Sequence, residues 1–444
     1  MARDWTGHRE VRLGIGANLG QFLVQTLLVF FVGMTIGLER TVVPVLAKDE
    51  FAIASSSVIL SFVFSFGVVK ALLNLYGGRL SESWGRRPIL ILGWLVALPI
   101  PLLIIWAPNW WWIVFANLLL GVNQGLAWSM TVTSKMDIVG GRQRGLAIGI
   151  NESAGYGGVA TAAVVTGYLA GAYGLRPVPF VFGMAVIVAA LAISLALARE
   201  TRGHALAEAA NPGSPGSGPQ PPEPAGPVPR FWDIFRWTSW RDRAMFAVSQ
   251  AGLIEKFTDT LVWVSFPLFF KARGLSVGEI GLVVGVYGFT WGVLQLATGP
   301  LSDKVGRKGP IVLGMWLAGA GVWLTVLVEG MALWMATSAL IGLGMALLYP
   351  TLLAAVGDAS DPQWRGTSLG VYRMWRDSGM AFGALGIGVM SDLFSLSAGF
   401  YFTAAAMFAS GGIVALRMYE TGPDRLGVAR GRRSELAGAG TASP

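Results

Sequence analysis

Gly78-Arg79-Leu80-Ser81-Glu82-Ser83-Trp84-Gly85-Arg86-Arg87 and Gly299-Pro300-Leu301-Ser302-Asp303-Lys304-Val305-Gly306-Arg307-Lys308 are two copies of one decapeptide, 221 residues apart (78 to 299). The same spacing carries Asp137 onto Asp358, Arg144 onto Arg365, Gly145 onto Gly366, Gly149 onto Gly370 and Gly167 onto Gly388. A spacing of 220 carries Glu200-Thr201 onto Glu420-Thr421. One offset recurring along each half marks a tandem duplication. Between the copies, the Pro- and Gly-rich stretch 211–230 reads as a disordered linker.

The solvent of these copies follows from composition. Of 444 residues, 54% are hydrophobic and only 13% charged, against about 45–50% and about 25% in a soluble domain. Mean hydropathy is +0.58, and the chain belongs in a bilayer. A crossing helix needs about 20 apolar residues. Runs of that kind fall at 20–46, 53–76, 89–107, 111–134, 145–172, 177–198, 244–270, 278–298, 310–328, 331–356, 367–390 and 395–417. Twelve crossings place both termini on one side. The loops on the other side hold only Lys48, Arg176, Lys271 and Arg273 among the basic residues, so the termini and the central loop are expected to be cytoplasmic. The net charge of +8 is then a topology signal that also attracts anionic lipid, and no nucleic-acid partner is expected. The first apolar run is too long for a cleavable leader and lacks a small-residue cleavage site, so it is expected to stay as the first helix.

The expected organisation is a cytoplasmic N-terminal segment 1–19, a six-helix bundle 20–198, a linker 199–243, a second six-helix bundle 244–417 and a disordered cytoplasmic tail 418–444. Within the linker, Phe231, Ile234 and Phe235 with Trp232, Trp237 and Trp240 read as a short helix on the inner membrane surface. The fold class is all-α, two pseudo-symmetric six-helix bundles. There are no cysteines, hence no disulfide, thiolate metal site or cysteine nucleophile. His8 and His204 lie outside the apolar runs, and no nucleotide-binding loop or metal cluster is present, so no cofactor is expected.

The duplicated decapeptide resembles the loop 2–3 signature of the major facilitator superfamily, Gly-x-Leu-x-Asp-x-x-Gly-Arg-Arg/Lys, over a likeness that takes in all twelve spans. Gly85 and Gly306 would permit tight turns, and Arg86, Arg87, Arg307 and Lys308 would sit at the headgroups. The resemblance implies two bundles around a central cavity open alternately to either side, with span 2 facing span 11 and span 5 facing span 8. It also implies that Glu82 (where the signature has Asp) and Asp303 face a helix start in the opposite half, that Arg86 and Arg307 pair with Asp137 and Asp358, and that Gly78, Gly299, Arg144 and Arg365 complete a cytoplasmic gate. Merely topogenic basic turns are the alternative.

Ten ionisable residues fall inside the apolar runs: Glu39, Arg40, Lys70, Glu152, Glu255, Lys256, Asp259, Arg373, Arg376 and Asp377. Each would cost roughly 2.5–3.5 kcal/mol at a lipid-facing helix centre, so they are expected to line a wet interior and to pair there. Glu39-Arg40-Thr41-Val42-Val43-Pro44 loosely resembles the first-helix pattern Leu-Asp-x-Thr-x-x-x-x-x-x-Pro of drug–proton antiporters, with Glu for Asp and the proline early. A carboxylate there would titrate as water access changes, with Arg40 lowering its pKa, or form an interfacial pair with Arg40. Glu255, Lys256 and Asp259 are spaced to share one face and are the leading substrate or ion site, with structural bonds to neighbouring helices as the alternative. Lys70, about 12 Å from the cytoplasmic surface by helical rise, would meet Asp377 or snorkel to the headgroups. Glu152 maps onto Arg373 under the 221 offset, and Arg373 with Arg376 would supply a positive site.

Asn123, Gln124, Asn151, Tyr156, Gln295 and Tyr349 continue the lining or bond helix to helix. Trp128, Trp263, Trp291 and Trp375 can stack on a flat solute or serve as filler and interface anchors. Gly281, Gly285, Gly288 and Gly292 form a stripe that would let span 8 approach span 5. The antiporter pattern Gly-x-x-x-Gly-Pro-x-x-Gly-Gly is not met, since Gly155-Tyr156-Gly157-Gly158 has no proline. The expectation is therefore a monomeric, multi-pass inner-membrane secondary transporter, not an enzyme. It would move a small solute by alternating access, with proton-coupled efflux through Glu39, Asp259, Glu255 or Glu152. A proton-linked importer of an organic anion or metabolite is the alternative, and a non-transporting sensor or a membrane-embedded hydrolase the remote ones.

Overall fold

The structure is a computed structural model that describes residues 13–139, 143–205, 230–360 and 364–421, with only the backbone of Gly77, Gly78, Arg79, Glu82, Arg144, Gly145 and Arg365. The expected disorder of 211–229 and of the distal tail, and the position of His8, lie outside the described residues.

Among the described residues, twelve helical rods form the membrane body. Span 1 is Leu19–Asp49, span 2 Ser56–Trp84, span 3 Arg86–Ile105, span 4 Trp110–Val139, span 5 Arg144–Tyr173 and span 6 Val178–Ala196. In the second half, span 7 runs from Arg243–Thr260 through Leu261–Ser265 to Phe266–Lys271. Span 8 is Val277–Val305, span 9 Lys308–Leu327, span 10 Met331–Ala359, span 11 Arg365–Leu393 and span 12 Leu396–Arg417. Among the described residues, nine helices are long and apolar enough to cross a membrane. Spans 5, 7 and 11 fall outside that set. They carry Glu152, Glu255, Lys256, Asp259, Arg373, Arg376 and Asp377, so the least apolar rods are those that bring most of the charge to the interior.

Several rods run further toward the basic loops than the apolar runs suggest. Span 2 reaches Trp84, span 4 Val139, span 8 Val305 and span 10 Ala359. The first seven residues of each decapeptide are therefore helix, ended by Gly85 at φ +94° and Gly306 at φ +92°, values that favour glycine. The chain past span 12 is also part of the fold as far as Thr421, because Glu420 is bonded to the start of span 9, so the tail begins later than residue 418. At the other terminus, Gly14 and Asn18 bond to the Ile138 carbonyl, which ties residues 14–18 to the end of span 4. Phe231–Arg236 is the expected short helix, with Trp232 and Trp240 exposed, Ile234 buried and Trp237 edge-on to Trp364.

The halves meet as the resemblance implied, span 2 on span 11 and span 5 on span 8. Small residues set the approach. A methyl group on Gly281 would lie 2.8 Å from the Ala163 carbonyl oxygen and one on Gly285 would lie 2.5 Å from Val164 Cγ2. The glycine stripe is thus a packing surface, on which close backbone contact replaces the hydrophobic drive that lipid cannot supply.

One end of this interface is closed and the other open. At the closed end, Lys271 pairs with Asp49 across the halves, and Asp392 at the end of span 11 accepts from Ser55 Oγ (2.7 Å) and Ser57 N (3.0 Å) at the start of span 2. Trp263 fits edge-on against Phe62 and Phe66 just inside that end. At the end that carries the basic loops, the halves part around a cavity of about 670 Å³. Gly285→Leu is expected to wedge the closed end apart and to increase the labelling of a single cysteine placed at Ile36, which lines the inner pocket, by an impermeant reagent added on the closed side. Unchanged labelling would count against the stripe as the closing surface.

Candidate functional site

The cavity leads to a smaller pocket at mid-molecule, and the two share Asn74, Ser129, Glu152, Tyr349 and Arg373 as a neck. All ten interior charged side chains are buried or half-buried, and most are paired. Arg40 of span 1 reaches Asp259 of span 7 at 2.7 Å, and Lys256 meets the other oxygen of Asp259 at 2.8 Å. Tyr287 donates to the same carboxylate at 3.3 Å, and the Arg40 guanidinium lies 5.2 Å from the Trp263 ring centroid. Asp259 therefore ties the two halves together above the pocket.

A second cluster lies between spans 7 and 11. Arg376 forms a bidentate pair with Glu255 at 2.7 and 2.8 Å and sits 3.9 Å from the Tyr349 ring centroid. A third crosses the halves, with Lys70 at 3.8 Å from Asp377 and Asn74 bonded to the same carboxylate. Lys70 takes the pairing and not the snorkelling alternative. Such pairs persist because each charge is expensive to bury alone.

Turn geometry aims these groups. Span 4 widens into a π turn at Gln124–Trp128, which presents Gln124 and Trp128 to the pocket, and span 7 widens likewise at Leu261–Ser265, just beyond Asp259, with none of those five residues lining the pocket. Such turns recur at functional sites.

Several sequence expectations are corrected. Glu39 and Arg40 do not pair: consecutive helical residues point about 100° apart, so Arg40 crosses to Asp259 while Glu39 is buried in its own half beside Asn117, with no hydrogen-bond partner for either carboxylate oxygen. Glu255 does not share a ligand face with Lys256 and Asp259, because it turns to Arg376 and lines neither cavity. Arg376 is consequently neutralised and leaves Arg373 as the cationic group at the neck. Asn123 is structural, donating to the Gly93 carbonyl at 3.0 Å. Trp291 is fully buried behind Tyr156, their rings stacked at 3.6 Å, and does not line the pocket. Gln124, Tyr156 and Tyr349 do line it, Gln295 lines the larger cavity, and Asn151 holds Lys135 at 3.0 Å.

Two residues at or beside the site, Asn74 in its lining and Lys135 bonded to Asn151 behind it, lie outside the expectations from sequence. Lys135 is buried in span 4, beyond the expected helix end at 134, and Asn74 sits one turn past Lys70 on the same face. Helical spacing from Trp128 to Lys135 and from Lys70 to Asn74 is the signal that points to both.

At the basic-loop end, Arg86 meets Asp137 at 3.1 Å and Arg307 meets Asp358 at 2.8 Å, the two pairings the resemblance implied. Burial works against the charge on Arg307, yet Asp358 and Asp303 outweigh it and hold its pKa above the ordinary arginine value. Among the described residues, Asp303 makes no hydrogen bond or ion pair to the opposite half. It pairs with Arg307 in its own half at 2.7 Å, is 64% exposed and borders the open cavity. The halves part here around the open cavity. The side chains of Glu82, Arg144 and Arg365 lie outside the described residues.

The repeated Glu-Thr pair gains a role that its sequence does not disclose. Glu200 accepts from the backbone N–H groups of Arg86 (3.0 Å) and Arg87 (3.1 Å), and Glu420 from those of Arg307 (2.6 Å) and Lys308 (3.3 Å). Each carboxylate satisfies the unpaired donors at the start of span 3 or span 9 and is favoured there by the helix dipole. Glu420→Ala is expected to cost about 1 kcal/mol by analogy with helix-cap losses, read as a lower unfolding midpoint in detergent, and no change would remove the capping role.

The family model described as Major Facilitator Superfamily matches residues 26–254 and 249–440. The chain belongs to the major facilitator superfamily. Among solved structures, this superfamily member is similar to a mutant form of the nucleoside transporter NupG, with a TM-score of 0.69 and 11% identity, over 90% of this chain and 100% of that one. It is also similar to the xylose transporter XylE from E. coli, in a partially occluded inward open conformation, with a TM-score of 0.70 and 14% identity, over 91% and 98%. At such identity these matches show the fold alone. Among curated relatives, Multidrug resistance protein D of Escherichia coli is 39% identical over 75 residues, 16% of this chain and 19% of that protein. Methyl viologen resistance protein SmvA of Salmonella typhimurium is 28% identical over 137 residues, 30% and 28%. Multidrug resistance protein MdtH of Yersinia pestis is 33% identical over 154 residues, 32% and 38%. The alignments thus span well under half the length of each of these relatives. The chain is a multi-pass membrane transporter of this superfamily and not an enzyme.

Proposed function

We propose that this transporter exports a small solute from the cytoplasm in exchange for protons, acting as a monomer in the inner membrane with both termini inside. The observation that carries the reading is the cavity of about 670 Å³ at the basic-loop end, which leads through the neck to an inner pocket lined by Arg40 and Asp259, the pair joining the halves. If the basic loops are cytoplasmic, the solute enters from inside while the far end is shut.

Asp259 supplies the coupling. Its carboxylate cannot hold a proton and keep a full ion pair with Arg40, so proton occupancy competes with the contact that joins the halves. Protonation from outside weakens that contact, and release of the proton toward the cavity restores it. The names of the partial relatives, which concern multidrug and methyl viologen resistance, support export. Glu39 and Glu255 are unsuited to the task, one sealed in its own half and the other locked to Arg376.

The test uses proteoliposomes of defined orientation under an imposed pH gradient, with solutes selected by ligand-induced thermal shift. Solute moving opposite to the proton is the expected result. Solute moving with the proton would establish the importer reading, which the half-buried Arg373 at the neck favours for an anionic solute.

A further inference from the structure

Pairing accounts for most of the charge around the cavity and leaves two groups at its neck. Glu152 of span 5 and Arg373 of span 11 line both the inner pocket and the larger cavity, and they occupy equivalent positions of the duplication. Glu152 is 2% exposed. Its Oε1 accepts from Trp128 Nε1 at 3.1 Å and Asn151 Nδ2 at 3.3 Å, whereas its Oε2 is buried with no partner. Lys135 is nearby but donates to Asn151 and makes no ion pair with Glu152. Arg373 makes no hydrogen bond or ion pair among the described residues. Tyr349 lies within electrostatic reach of both.

Gln295 adds an independent sign of a ligand. It is 2% exposed and faces the cavity, and both atoms of its amide lack partners. A buried polar group left unmet bears its full desolvation penalty, which a bound molecule with matching groups removes. The wall beyond is apolar, formed by Met130, Met136, Leu146, Leu296, Leu353 and Leu369.

We propose that the solute is a zwitterionic amphiphile whose ammonium group lies toward Glu152 and whose carboxylate meets Arg373, with a neutral amide-like group at Gln295 and an apolar body along the methionine and leucine wall. This rests on the transport reading and names the solute class for it. A simple cation would leave the half-buried Arg373 with no directly bonded anion, Asp377 acting on it only through space, and a simple anion would leave buried Glu152 with only the through-space field of Lys135, so each is disfavoured by the group it fails to meet. Opposite charges at equivalent positions of the two halves give the site its polarity.

The test takes the full-length protein in lipid nanodiscs and measures thermal shift with one dipeptide in four charge forms. These are phenylalanyl-leucine (zwitterion), its C-terminal amide (cation), its N-acetyl derivative (anion) and the N-acetyl amide (neutral). The zwitterion is expected to bind at least about tenfold more tightly than either singly charged form, a factor within the reach of one met or unmet charge. Glu152→Gln should make the zwitterion and the N-acetyl form bind alike, and Arg373→Gln should make the zwitterion and the amide bind alike. Both replacements keep a polar side chain of similar reach, and the unliganded unfolding midpoint reports whether each variant is folded. A cation bound as tightly as the zwitterion, an unchanged ranking in folded Arg373→Gln, or no shift with any form overturns the proposal. Flux under a pH gradient is measured separately. Flux without charge preference refutes the solute class alone, and charge-selective binding without flux leaves the solute class standing while refuting the transport reading.

Discussion

Asp259→Asn is expected to abolish proton-coupled flux and to destabilise the protein, on the geometry of the Arg40–Asp259–Lys256 cluster. The replacement removes the carboxylate that both cations touch at 2.7 and 2.8 Å, in a place where all three side chains are 2% exposed. Breaking a buried pair by deleting one partner costs roughly 3–5 kcal/mol, because the remaining charge has neither water nor counter-ion. Here two cations are left behind. The double variant Arg40→Gln with Asp259→Asn removes one of them and should regain most of the stability while staying uncoupled, since no carboxylate then joins span 1 to span 7. Thermal unfolding in nanodiscs and pH-driven flux in proteoliposomes separate the two effects. Coupled flux surviving in folded Asp259→Asn would remove Asp259 from the mechanism.

The second large effect concerns Glu255 and Arg376, where stability is expected to fall without a change in coupling. Their bidentate contact joins spans 7 and 11 within one half, and Glu255 is fully buried away from the cavity. Glu255→Gln leaves the guanidinium partly unmatched and is expected to cost about 3–5 kcal/mol. Replacing both residues by apolar ones, Glu255→Met with Arg376→Leu, should cost less, because neither member of the pair is then left charged and Asp377, 3.6 Å from Arg376, keeps Lys70. A double-mutant cycle on unfolding midpoints measures the difference. If Glu255→Gln alone costs under about 1 kcal/mol, the pair falls below the range for a broken buried ion pair and is not the strut that its geometry describes.

These pairs differ in how far the chain itself announces them. Periodicity and apolar length locate the rods, and the offset of the decapeptides identifies two copies of one bundle before any contact is known. The cost of burying ions requires the interior charges to be paired, and they are, apart from Glu39, Glu152 and Arg373. Partners are harder to read. Glu255, Lys256 and Asp259 sit within little more than one turn, and helical spacing makes them neighbours, but Glu255 is drawn aside by Arg376, 121 positions away. Glu39 and Arg40 are adjacent in the chain and part company because the helix turns between them. Lys135 lies outside the apolar run of span 4, which continues as helix past that run and is held there by contacts with the N-terminal segment and span 5 that hydropathy does not register.

Sequence alone determined the medium, the number of crossings, the duplication and the family, since these depend on composition and on order along the chain. Tertiary structure decided which ions cancel, which end is shut and which two charges are left facing the cavity. Those outcomes depend on direction around each helix and on distance between rods, and a linear order of residues carries the first only approximately and the second not at all.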